Sequence, residues 1–371
     1  MTSDSKEALY DRRDQLERQT SADRAEFEYQ IPKGDPYREM DRNKIDAGAD
    51  IRWQWRRSTT SSSAIDAAGN ESETDPQQRW SSFPMQVETQ FGYRPFNRKL
   101  RFVYELRAQK PPGGKNLPDE FGATILQRRS LYAMLEDLPY NLYAQAGYYR
   151  PLFGYYTPDH TFLPQLMMAE AIGVRAYNQQ FLTYSVGGSP NLPYVNLHYI
   201  ARDVSNPIAP RKLSGVAANL GVRFVTKGIS LNYSIWNLKD PTNPEFEKRY
   251  LLQSLFGSIQ IGRLTYSLDL TSLERDDPAD ELRRGGVYSM DAYFQLWRAI
   301  YANAQYAFAN SAVDLKVGNT SQVRFGLRSF LTAGTDVTVH YEMEQQTKRE
   351  RDGSEQTTNL SGLVGQIHVF M

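Results

Sequence analysis

A period of two, repeated in segment after segment from Ala47 to the C-terminus, constrains this chain more than any other feature. Side chains of a β-strand alternate between two faces, so apolar–polar alternation marks a sheet with a different environment on each side. Leu100, Phe102, Tyr104 and Leu106 face one way, and Arg101, Glu105 and Arg107 face the other. Ile51, Trp53 and Trp55 alternate in the same manner with Asp50, Arg52, Gln54 and Arg56. Val216, Ala218, Leu220, Val222 and Phe224 oppose Asn219 and Arg223, and Leu264, Tyr266, Leu268 and Leu270 oppose Thr265, Ser267, Asp269 and Thr271. The apolar face continues through every segment. The opposite face carries Asp, Glu and Arg, which a packed core does not tolerate without partners, so that face is expected to line water.

Sixteen such segments can be counted, and their connections sort by length. Seven short turns, near residues 95, 138, 188, 227, 261, 298 and 332, interleave with eight longer polar loops near 68, 116, 165, 207, 243, 279, 315 and 351. Among the loops are the Ser/Thr-rich stretch Ser58–Gln78 and the charged stretch 274–286. A soluble sandwich has no reason to sort its connections in this way, whereas an outer-membrane barrel does. The expected fold is all-β: a sixteen-stranded antiparallel transmembrane β-barrel over residues 46–371, with a short charged N-terminal extension over residues 1–45. A mean hydropathy of −0.60 excludes a helical membrane protein. It does not exclude a barrel, whose strands average out polar. The 24 tyrosines suit a barrel with interfacial girdles. Acidic and basic residues number 43 each, so no nucleic acid or other polyanion is expected as a partner. With 0 cysteines there are no disulfides or thiolate metal sites. Met1 is followed by TSDSKEALYDRRDQ, without the apolar run of a signal peptide, so an exported chain would be in its mature form.

One connection stands apart. The strand in which Leu142, Ala144, Ala146 and Tyr148 oppose Asn141, Tyr143, Gln145 and Tyr149 gives way to about thirty residues broken by Pro151, Gly154, Pro158 and Pro164. A short helix-like piece, Leu166–Ile172, lies within it. Loops this long in compact folds are usually functional or disordered. The aromatic and aliphatic residues between Leu152 and Met168 favour a loop folded into a hollow. The layout resembles that of the sixteen-stranded porins of Gram-negative outer membranes, in which the loop after the fifth strand folds inward and narrows the channel. This chain's longest loop also follows its fifth strand. The resemblance is architectural and covers residues 46–371. It implies an inward-folded constriction loop and passive diffusion of ions and small hydrophilic solutes. It also implies an outer-membrane location among lipid and lipopolysaccharide, with further copies of the chain or an envelope protein as partners to look for. One departure concerns the end: such barrels usually finish on an aromatic, commonly Phe, but here Phe370 precedes Met371. Ile367, Val369 and Met371 share the outward phase.

The candidate constriction residues are Arg150, Tyr155, Tyr156, Asp159, His160 and Arg175. Fixed charges in a narrow, low-dielectric passage set ion preference. The competing reading is local structure, with Asp159 capping the short helix and His160 bonding nearby. The candidate lumen wall comprises Arg52, Arg101, Glu105, Arg107, Arg128, Arg223, Asp269, Asp291, Arg324, Arg328 and Glu342, with Asp50, Glu88 and Glu344 in the same phase. Five of these arginines lie on the first, third and fourteenth strands, which closure would make near neighbours. They either present a field that orients dipolar solutes or pair with the acids and keep the lumen wet. The mixture of signs argues against a strongly selective phosphate pore. Trp236 and Trp297 are inward by phase. A lipid-hydrolysing barrel would need a Ser–His pair. His198 shares its face with Asn196, but no serine is obviously placed, and none of the four histidines has metal-ligand spacing. No catalytic residue, metal or cofactor is expected. The N-terminal stretch has a thin apolar stripe, Leu9 and Leu16. It reads as a solvated tail or as a periplasmic segment that docks on a partner or tucks into the barrel mouth. In the latter case the chain would be a barrel subunit scaffolding an envelope complex.

Overall fold

Alternation of this kind closes on itself in the computed structural model, which describes residues 45–95, 99–109, 125–151, 153–154, 181–188, 193–203, 213–224, 227–240, 248–277, 280–310, 318–332, 334–349 and 354–370. The first eight strands are β1 (Ile45–Ile65), β2 (Glu71–Tyr93), β3 (Leu100–Gln109), β4 (Ile125–Leu138), β5 (Leu142–Tyr149), β6 (Phe181–Gly188), β7 (Tyr194–Asp203) and β8 (Ser214–Phe224). The second eight are β9 (Ile229–Asp240), β10 (Lys248–Ile261), β11 (Leu264–Asp277), β12 (Asp280–Trp297), β13 (Ile300–Asn310), β14 (Gly318–Thr332), β15 (Thr335–Arg349) and β16 (Glu355–Phe370). Every strand pairs antiparallel with its sequence neighbours, and β1 pairs with β16 from Asp50↔Phe370 to Ile65↔Glu355, which closes a sixteen-stranded barrel without an open edge. The N-terminal extension lies outside the described residues.

The outer face is the apolar one. Trp53, Phe102, Leu131, Leu197, Val216, Leu231, Leu255, Leu270, Phe325 and Leu363 are all exposed there. Polar groups occupy most of the inner face, and the backbone bonds run from strand to strand, as lipid surroundings demand. At the last strand, Ile367 and Val369 pair with Trp53 and Ile51 in the outward phase. Phe370 turns inward, its ring centroid 4.9 Å from that of His368.

Two stretches expected as loops are strands. Ser58–Gln78 is a hairpin paired through Ile65↔Glu71, and only residues 66–70 turn. Ser and Thr suit strands when they bond across the ladder. Ser62 Oγ and Thr74 Oγ1 lie 2.8 Å apart. Asp66 accepts from the backbone N–H of Ala68 and Asn70 at 2.9 and 2.8 Å and so supplies the turn. Similarly, β11 and β12 stay paired out to Asp277↔Asp280. Polarity marks these segments as standing clear of lipid but does not distinguish a paired hairpin from irregular backbone.

Register shifts break the phase at two places that bear on the inner wall. Between Arg52 and Trp53 the partner on β2 jumps from Gln86 to Pro84, so Phe83 pairs with Gln54 rather than continuing the phase of Val87. On β4, Glu105 pairs with Ser130 but Leu106 pairs with Arg128, which leaves Arg129 as the extra residue of a β-bulge.

Candidate functional site: the inner wall of the barrel

The wall divides into two arcs of different chemistry. The first covers β12–β16 and β1–β4 and is charged. Glu342, 2% exposed, forms ion pairs with Arg56 of β1 and with Arg324 of β14, the latter at 3.4 Å. β16 lies between β15 and β1, and Gly362, the register partner of Glu342, puts no side chain in the way of Arg56. Arg324 Nη1 donates to Gln305 Oε1 at 3.4 Å, and Gln305 Nε2 donates to Asp291 Oδ1 at 2.7 Å, so a belt runs from β12 to β1. Glu88 is paired with both Arg107 and Arg129, and Glu105 accepts from Ser130 Oγ at 2.5 Å. Toward the short-turn end, His368 sits between two carboxylates, Nδ1 3.0 Å from Asp336 Oδ2 and Nε2 3.1 Å from Asp50 Oδ1. Arg328 Nη2 donates to Asp336 at 2.8 Å, and Arg52 Nε donates to Asp50 at 3.3 Å. Arg94 and Arg101 reach Glu136 at 3.7 and 4.0 Å.

The second arc, β5–β11, is lined mainly by neutral polar groups among the described residues, with Arg223 and Asp269 among its inward charges. Asn219 and Asn232 exchange amide hydrogen bonds at 3.1 and 3.0 Å, Asn219 also donates to Ser234 Oγ at 2.8 Å, and Asn232 donates to Tyr194 OH at 2.6 Å. Tyr143 OH donates to Asn196 Oδ1 at 2.5 Å. Arg223 lies over the Tyr194 ring, 5.0 Å from its centroid. Toward the loop end this arc turns apolar: Phe153, Phe181, Ile200, Leu213, Ala217, Trp236, Leu238, Tyr250, Leu252 and Leu273 form one buried cluster. Buried inward residues occur on both arcs, Arg52, Arg107, Arg324 and Glu342 among those of the charged one. Inward residues of the neutral arc such as Asn196, Ile200, Asn219, Ser234, Trp236, Leu252, Asp269 and Leu273 are buried. On the charged arc Arg56, Glu88, Gln90, Glu105, Arg129, Asn303, Gln305, Arg328 and Glu344 remain half-buried.

Phe153 and Gly154 show where the long connection goes. Leaving β5, the chain carries Phe153 onto Trp236 of β9, ring centroids 5.2 Å apart and edge-on. Gly154 N donates to Ser234 Oγ at 3.1 Å. Gly154 has φ +57°, and a Cβ there would stand 2.8 Å from Ser254 Oγ and 3.1 Å from Asp269 Oδ2. Glycine is needed both for the left-handed turn and for the close approach. The start of the connection therefore lies inside the barrel.

Of the wall residues read from sequence, Arg52, Arg101, Glu105, Arg107, Arg223, Asp269, Asp291, Arg324, Arg328 and Glu342 occupy inward register positions. Arg128 does not. The bulge turns it to the outer face, where its guanidinium lies 4.2 Å from the centroid of Tyr148, and Arg129 takes the inward place. Trp236 is inward and buried, whereas Trp297 is 67% exposed, because a register shift at the end of β12 pairs it with Ile300. Arg150 is half-buried beside Pro151 at the end of β5. Tyr155, Tyr156, Asp159, His160 and Arg175 lie outside the described residues.

A serine missed in the sequence does face His198. Register sets Ser185 opposite it, with Ser185 Oγ 2.5 Å from Nδ1. Only strand pairing could have found it. The described residues do not complete a catalytic set around the pair: among them His198 Nε2 has no hydrogen-bond partner to orient it, and Ser185 Oγ is also bonded to Tyr149 OH. Among the described residues no group of three or more His, Asp or Glu could hold a metal ion.

No protein-family model matches the chain, and no curated protein matches it. Solved structures do. A loop L8 deletion mutant of OmpT, an outer membrane protein of Vibrio cholerae, aligns over 89% of this chain and 99% of its own at 11% identity, TM-score 0.56. An anion-selective porin from Comamonas acidovorans aligns over 88% of this chain and 100% of its own at 10% identity, TM-score 0.56. The outer membrane channel DcaP of Acinetobacter baumannii aligns over 88% of this chain and 97% of its own at 9% identity, TM-score 0.54. At such identities the likeness is one of fold: this chain has the sixteen-stranded barrel of outer-membrane porins and channels.

Proposed function

We propose that the chain is a porin-like channel of the Gram-negative outer membrane, through which ions and small hydrophilic solutes diffuse passively. The observation that carries this reading is the charged arc. An apolar exterior has no use for Arg56, Glu88, Glu105, Arg129, Arg328 and Glu344 on the inside of a closed wall, and these keep partial exposure. A barrel of sixteen strands encloses an aqueous lumen unless something fills it. Charge pairing sets the selectivity. Guanidiniums bound to carboxylates on the same strand or one or two strands away present dipoles rather than a net field, so discrimination between cations and anions is weak. In this reading Tyr155, Tyr156, Asp159, His160 and Arg175 belong to a segment that narrows the passage, and Arg150 stands at its entrance.

Purified barrel is inserted into a planar bilayer and single-channel currents are recorded. Discrete ohmic steps, with a reversal potential near zero in a salt gradient, support the reading. Folded barrel that leaves the bilayer sealed refutes it. If it also comes out of mild detergent with an envelope protein, the scaffold role is the better account.

A further inference from the structure

Both ends of the long connection bear on one side chain. Phe153, where the chain leaves β5, and Phe181, where it returns as the first residue of β6, each meet Trp236 edge-on, with centroids 5.2 and 5.7 Å away at 62° and 85°. Trp236 belongs to β9, four strands from β5, or about 19 Å along the wall at a usual strand spacing. Its register partners explain how one indole can take two rings: Ala217 on β8 is small and Leu252 on β10 gives a flat apolar floor. Ser234, two residues earlier on the same face, accepts from Gly154 N, and Ser254 and Asp269 close around the glycine.

We propose that Trp236 is a positioning residue of the pore, seating Phe153 and Phe181, the two ends of the connection, against β9 and so fixing where the connection enters and leaves the lumen. Its bearing on conduction rests on the channel reading, but the seat itself does not. A sideways shift of the neck would break two ring contacts and one hydrogen bond at once.

The chain has 0 cysteines, so introduced pairs report without background. Gly154→Cys with Ser254→Cys removes the Ser254 hydroxyl that a Cβ at 154 would meet and places that Cβ 3.3 Å from the Ser254 Cβ, just short of the roughly 3.5–4.5 Å that a disulfide spans. Mild oxidation of folded barrel, identified by its migration in unheated gels, should cross-link this pair. Gly154→Cys with Gln322→Cys, four strands along the wall from Ser254, should not react. Adding Trp236→Ala should slow the cross-link on the order of fivefold or more, from the loss of two aromatic contacts, while Trp236→Phe retains most of the rate. In the bilayer, Trp236→Ala should widen the distribution of conductances while Trp236→Phe resembles the parent. If the cysteine pair does not fold, Phe153→Ala removes one of the two contacts and should broaden conductance in the same direction. Folded barrel that does not cross-link at 154 and 254, or that cross-links equally fast without the indole, overturns the proposal and leaves the channel reading intact. A parent barrel that conducts nothing overturns the channel reading, and the cross-link still decides the seat.

Discussion

Glu342→Gln tests whether the inner belt holds the barrel together or merely decorates it. The carboxylate side chain is 2% exposed and faces two guanidiniums, Arg324 at 4% and Arg56 at 24%. The amide keeps the shape and removes the charge, so Arg324 is left buried without its counter-ion. Breaking a buried pair costs roughly 3–5 kcal/mol. Arg56 is partly in water and recovers hydration, which moves the expectation to the low end, about 3 kcal/mol. Against a usual folding free energy of about 5–15 kcal/mol, that is a large fraction. The assay is urea unfolding of barrel in lipid vesicles, followed by tryptophan fluorescence. At an m-value of roughly 1–3 kcal/mol per molar, the midpoint should fall by about 1–3 M. Glu342→Gln combined with Arg324→Met removes the stranded charge and should regain at least half the loss, since two neutral partners are often as stable as a buried pair. A midpoint unchanged in the single variant, or simple additivity in the double, would show that water reaches Glu342 and that the belt carries no stability.

Three further outcomes follow from the same structure. His368→Ala leaves Asp50 and Asp336 facing each other at the closing seam, and should speed amide exchange at residues 50–54 and 366–370 relative to the rest of the barrel; uniform exchange would show that the seam does not depend on it. In the hairpin turn beyond the membrane, the side-chain amide and backbone N–H of Asn70 hold the Asp66 carboxyl below its usual range. A depressed folded pKa means that its contribution is complete above the ordinary carboxylate pKa and is lost as pH falls through the folded value, so protection of the Asn70 amide relative to its intrinsic exchange rate should fall only in acid, and Asp66→Asn should abolish that pH dependence. Deleting residues 2–40 should leave a heat-modifiable barrel, because β1 begins at Ile45; a truncated chain that cannot insert into lipid would place part of the N-terminal extension in the wall.

Strand number, phase and order were legible because lipid outside and a polar lumen inside force each residue to one face, and a period of two records that choice locally. Trp53 is out and Arg52 is in for reasons that need only their own strand. Polarity on both faces, as at Ser58–Gln78, signals departure from lipid but does not distinguish a loop from a projecting hairpin, since cross-strand bonds such as Ser62 to Thr74 exist only after pairing. Arg128 and Arg129 read alike in sequence; a single bulge sends one outward onto Tyr148 and the other inward to Glu88. Closure decided the rest. Arg52 and His368, Arg56 and Glu342, and Ser185 and His198 become neighbours through register between strands, which hydropathy does not encode. Trp236 and Leu238 share the inward phase of Asn232 and Ser234, so the sequence holds the inner apolar patch, but only the folded chain, by seating Phe153 and Phe181 there, supplies the cover that makes apolar residues stable inside a polar lumen.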